Sequence, residues 1–131
     1  MNNEKKKKIK VLLISLPGML QSVLRQTLAD KSDVDLVGVA SGCLSALSMI
    51  KQQAPDLVVI DSNMPEAEIQ ELFLRMKAEQ VKSQSLVLTE TSHQKEFAKA
   101  AGADFVLRSD TLSRDFDFVL TETRNGSKVK G

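Results

Sequence analysis

The sequence has no tryptophan and no tyrosine, and only five phenylalanines in 131 residues. A platform of aromatic rings on which single-stranded bases stack is not to be expected here. A single cysteine, Cys43, rules out an internal disulfide. It reads as a small helix residue packed near Ala46, since nothing close in sequence lowers a thiol pKa. His93 is also alone. A zinc site needs several histidine, cysteine or carboxylate ligands, so His93 reads as a solvated residue at a helix start. No apolar run approaches the roughly 18 residues of a membrane span. The N-terminal MNNEKKKKIK leads straight into a short strand-like run with no small-residue cleavage site, which is poor as a signal peptide. The expectation is a cytoplasmic protein.

Charge of one sign is missing as well. The formal net charge is +1, so the chain as a whole makes no electrostatic case for nucleic acid. Lys5 to Lys8 form a local basic run without an aromatic or apolar partner, and read as a solvated terminus. What is present is ordinary: 42% hydrophobic and 27% charged residues, in a length that suits one buried core.

Along the chain, short apolar runs alternate five times with stretches of helical spacing. The strands are read at Val11–Ile14, Leu36–Ala40, Leu57–Ile60, Ser85–Leu88 and Phe105–Leu107. The helical stripes are Leu20, Val23, Leu24 and Leu28; then Leu44, Leu47 and Ile50; then Ile69, Leu72, Phe73 and Met76; then Phe97, Ala98, Ala100 and Ala101; and last Leu112, Phe116, Val119 and Leu120. Pro17 suits the first turn of a helix, Pro55 stops one, and Gly102 suits a position just past a helix end. Continuously apolar Leu57–Ile60 is the pattern of a strand covered by helices on both faces. The prediction is an α/β fold, with a parallel sheet joined by right-handed crossovers.

In such a sheet, ligands gather outside the carboxyl ends of the strands. The residues there are Ser15, Leu16, Asp61, Thr89 and the group around Arg108 and Ser109. With "DLVVIDSNMP", a threonine closing "LVLT" 28 residues after Asp61, and "AGAD" before the last strand, this set resembles the receiver domain of bacterial response regulators. The resemblance covers Lys10 to about Thr123. It implies a three-layer doubly wound (βα)5 fold with strand order 2-1-3-4-5. It also implies a receiver-like domain over 8–123, between a basic disordered stretch, 1–7, and a disordered tail, 124–131. The stretch "DVDLVGVASGCLSAL" resembles receivers that carry a DNA-binding module behind them; none is expected within these residues.

The family implies a phosphoryl group accepted by an aspartate at the end of the third strand. A divalent metal, usually Mg²⁺, would sit on that aspartate, on an acidic pair after the first strand and on a nearby carbonyl. Residue by residue, Asp61 matches the acceptor, Asn63 the carbonyl and Thr89 the phosphate-binding hydroxyl. The acidic pair falls on Ser15 and Leu16, so both carboxylates are missing. The family's lysine falls on Ser109 without a gap, or on Arg108 with one deletion; the switch aromatic correspondingly falls on Val106 or Phe105.

Mg²⁺ wants octahedral oxygen ligands and is usually held by one or two carboxylates. Asp61 alone implies weak or absent metal binding, and slow or absent phosphorylation, with no other cofactor. Asp61 then reads as the remnant of a site, held by Arg108, Thr89 or Ser15.

Three functions follow. The first is a non-enzymatic signalling module that contacts a histidine kinase, an effector or a second copy through the fourth helix, fifth strand and fifth helix, with Phe97 and Phe118 as candidate anchors. The second is a working phospho-receiver in which Glu66 or Glu90 compensates for the missing acids. The third, an enzyme or nucleotide-binding domain, is the weakest: "SLPGML" carries one glycine where phosphate loops need several.

Overall fold

The computed structural model of the chain describes residues 7–126. Five strands, β1 (Ile9–Ile14), β2 (Val34–Ala40), β3 (Leu57–Ile60), β4 (Gln84–Thr89) and β5 (Phe105–Arg108), form one parallel sheet in the order β2-β1-β3-β4-β5. The helices α1 (Met19–Ala29), α2 (Cys43–Gln53), α3 (Glu66–Ala78), α4 (Ser92–Ala101) and α5 (Leu112–Asn125) alternate with them. A short 3₁₀ turn, Ser109–Thr111, precedes α5. This is the expected doubly wound architecture.

The alternation of strand side chains divides the interior into two cores. Leu12, Ile14, Val58 and Ile60 face α2, α3 and α4. Val11, Leu13, Val59, Leu86 and Leu88 face α1 and α5, where Phe116 is wholly buried. Every residue of β3 is buried, as its unbroken apolar run requires. The stripe Leu112, Phe116, Val119 and Leu120 is buried as predicted.

Two other stripes differ from expectation. In α2 the buried set is Cys43, Ala46, Leu47 and Ile50, while Leu44 is 72% exposed. The true spacing is i, i+3, i+4, i+7, one residue off the face read from Leu44. In α1 only Leu24 and Leu28 are buried, and Leu20 and Val23 reach solvent. The buried line of α1 begins only at Leu24 and continues one turn on at Leu28. Pro17 stands one residue before the Gly18 cap rather than in the first turn.

Gly102 ends α4 in the left-handed region (φ 105°), and the N–H groups of Gly102 and Ala103 close on Lys99 O and Ala98 O. That pairing satisfies the last carbonyls of the helix. Helix α5 runs on to Asn125, two residues past the boundary read at Thr123, and Gly126 caps it at φ 67°. The remainder of the expected tail, 127–131, and the basic stretch 1–6 lie outside the described residues. Among the described residues, no helix is long and apolar enough to cross a membrane.

Candidate functional site

The ladder of the central strands continues one residue past their ends. The Asp61 N–H donates to Ile14 O, and the Ser15 N–H to Ala40 O, each at 2.9 Å. This places Ser15 and Asp61 side by side above the sheet. Ser15 Oγ donates to Asp61 Oδ2 at 2.8 Å, and the Ser62 N–H donates to Oδ1 at 2.7 Å. Each carboxylate oxygen thus has a donor. Asp61 is 1% exposed and Ser15 is fully buried. An ionised carboxylate in such a place needs partners of this kind.

Of the three candidate holders of Asp61, the geometry brings in Ser15 alone. Thr89 is buried, and its hydroxyl donates to Leu107 O at 3.3 Å. Arg108 is the register partner of Thr89 at the end of β5. Its guanidinium turns away to Asp110, donating from Nε and Nη2 to the two carboxylate oxygens at 3.0 Å each. This pairing holds the Asp110 carboxyl below its ordinary pKa and Arg108 above its own. Ser109 opens the 3₁₀ turn, and its hydroxyl is buried without a partner.

Asn63 Oδ1 accepts the Leu16 N–H at 3.4 Å, linking the loops after β1 and β3. Leu16 packs against the core beneath α2 and α3. Glu66 is paired with His93 at 2.9 Å on the surface. Among the described residues, no three histidine, cysteine or acidic side chains are grouped as metal ligands.

Residues not singled out from the sequence complete the surround. Gln94 Oε1 accepts the Glu90 N–H at 2.6 Å, and Nε2 donates to Ser62 O at 3.3 Å. The Thr91 hydroxyl caps α4 by accepting the Gln94 N–H at 3.1 Å. The signal was present, since Thr91 followed three residues later by Gln94 is the spacing of a capping box. Gln21 Nε2 donates to Ser15 O at 2.8 Å, and no sequence pattern announces it.

Beside this cluster, a cleft of about 350 Å³ opens between α4, β5 and α5, with Lys95, Arg108 and Arg114 on its rim. Phe118 is one turn along α5 from Arg114 and is 61% exposed. Phe97 is half-buried and packs, with Val106, on the α3–α4 side, while Phe105 packs on the α5 side. Cys43 lies apart. Burial, with Glu68 and Glu71 nearby, pushes its thiol pKa up.

The arrangement defines a class: an open α/β sheet with a buried aspartate at the carboxyl end of its central strand. The family model of the response regulator receiver domain matches residues 6–119. The chain therefore belongs to the response regulator receiver family, the receiving domains of two-component signal transduction.

Among curated proteins, it is 35% identical over 112 residues to protein-glutamate methylesterase/protein-glutamine glutaminase 1 of Methanospirillum hungatei, covering 86% of this chain and 30% of that protein. It is 26% identical to the nitrate/nitrite response regulator protein NarL of Escherichia coli, covering 91% of this chain and 56% of that one. The chain thus spans under a third of the first and about half of the second. Its fold is shared with the signal receiver domain of the NarL regulator from Mycobacterium tuberculosis, with a TM-score of 0.76, 20% identity, and coverage of 91% and 98% of the two chains.

Proposed function

We propose that this receiver domain works through protein contacts, with Asp61 held by Ser15 in place of a metal ion. The observation that carries this reading is the buried Ser15–Asp61 hydrogen bond of 2.8 Å. The donor set does not fit Mg²⁺. One carboxylate is present, both of its oxygens are engaged, and Ser15 and Leu16 stand where carboxylates would be needed. Phosphoryl transfer depends on neutralising charge on the transferred group. Here the guanidinium at the end of β5, that of Arg108, is committed to Asp110.

On this reading the output of the domain lies in what it binds. The face formed by α4, β5 and α5, with exposed Phe118, is the proposed contact surface for a kinase, an effector or a second copy.

Intact-mass spectrometry after incubation with acetyl phosphate, with and without Mg²⁺, tests the reading. The native chain is expected to gain no phosphoryl group, like an Asp61→Asn control. A Mg²⁺-dependent gain that the control lacks would establish the alternative, a live phospho-receiver. A Ser15→Asp, Leu16→Asp protein puts a carboxylate within reach of Asp61. It is expected to acquire Mg²⁺ binding, read by isothermal titration.

A further inference from the structure

Asn125 is the last residue of α5, and it is the one asparagine of the chain with a glycine after it. Both Asn125 and Gly126 are exposed. Asparagine is thermolabile, because the backbone nitrogen of the next residue can attack its side-chain carbonyl. A side chain on that next residue hinders the approach, and glycine has none. Among the described residues, no atom lies within 4 Å of the place a Gly126 Cβ would take. Asn63 is the contrast. Its side-chain oxygen accepts the Leu16 N–H at 3.4 Å, and the residue after it is buried Met64.

The end of α5 is held by few bonds. Gly126 sits at φ 67°, and its N–H is shared between Glu122 O and Thr123 O. Helix ends open at little cost in free energy. In the open turn Asn125 leaves helical geometry, and the Gly126 nitrogen comes within reach of Cγ. The same turn carries Arg124. Its Nη1 donates to Lys7 O at 2.6 Å, and its Nη2 stands 3.7 Å from Asp33 Oδ2. Arg124 thereby clasps the residues before β1 and before β2 to the end of α5.

We infer that Asn125–Gly126 is a site of spontaneous deamidation, and that the change loosens this clasp. The Gly126 nitrogen bonds to Asn125 Cγ, and the Cγ–Nδ2 bond breaks. The Gly126 proton passes through solvent to the departing nitrogen, which leaves as ammonia. Water then opens the cyclic imide at either carbonyl, giving aspartate or isoaspartate at position 125. Aspartate places a negative charge at the negative end of the helix dipole. Isoaspartate adds a methylene to the backbone and moves the Gly126 N–H from its two acceptors.

The full chain, held at mildly alkaline pH and body temperature and then mapped by peptide mass spectrometry, tests the inference. Asn125 is expected to convert to both products while Asn63 persists. Gly126→Ala should slow the conversion at least tenfold. Asn125→Gln, which needs a larger ring, should abolish it. Asn125→Asp reads the clasp separately: hydrogen exchange at the Thr123 and Arg124 amides should be about threefold faster, with Ala98 in α4 unchanged. Four results would each overturn the inference: Asn125 intact after a period in which the free peptide TRNGSK converts fully; equal conversion at Asn63; an unslowed Gly126→Ala protein; or unchanged exchange in Asn125→Asp.

Discussion

One side-chain hydroxyl, that of Ser15, donates to the buried aspartate at the end of β3. Removing one partner of a buried charged group leaves the other desolvated, which costs about 1–3 kcal/mol. Ser15→Ala is therefore expected to destabilise the chain by about that amount in urea unfolding, although it deletes one oxygen. Cys43 shows the same dependence on surroundings. Its raised pKa disfavours the thiolate. Labelling of the native protein with iodoacetamide should be slow at neutral pH, and should accelerate only as the pH passes the ordinary thiol value or as the protein unfolds. The placement of Ser15, Leu16, Asp61 and Thr89 at strand ends could be read from the sequence, and the acids missing at Ser15 and Leu16 are what the resemblance implies. Which donor turns to Asp61 could not be read there, because Ser15, Thr89 and Arg108 are all suited to it by chemistry. Only the packing sends Arg108 to Asp110 and the Thr89 hydroxyl to Leu107 O.

The elements were the most legible level. Strand alternation and the unbroken run in β3 fix the sheet, and the α5 stripe fixes the helix that closes it. Helical faces were less legible. Leu20 and Val23 have helical spacing, but of that stripe only Leu24 and Leu28 are buried. Leu44 lies one residue from the buried stripe of α2, within the tolerance of a periodicity argument. Element ends carry their own energetics. Gly102 sits at φ 105°, where a Cβ is strained. Gly102→Ala is expected to lower stability by about 1 kcal/mol, with the loss read as a lower urea midpoint at unchanged slope.

At the scale of the whole molecule, the sheet presents two ends and two flanks with different duties. The carboxyl end holds Asp61 among buried partners, and the α4–β5–α5 flank is the proposed contact surface. Phe118 adds little to the core, being on the outer side of α5. Phe118→Ala should leave the melting temperature nearly unchanged while weakening partner capture or self-association, measured by analytical ultracentrifugation and pull-down against a candidate kinase. Loss of stability without loss of association would place the residue in the core and remove it from the proposed surface. Which partner that face takes was not legible in the sequence, because recognition depends on a second molecule's shape.

The pairing of β1 with β2 has a consequence of another kind. The register jumps from Val11–Leu36 to Leu12–Gly38, so Val37 is an extra residue in a strand at the sheet's margin. At Gly38 the backbone comes close to its neighbours, and a Cβ there would meet Met49 Sδ at 3.2 Å and Leu12 Cδ1 at 3.3 Å. The strand VDLVGVA is apolar enough to template a foreign strand. The bulge bends that margin and interrupts its regular row of amides and carbonyls. An edge strand interrupted in this way is a poorer template for a foreign strand than a regular one.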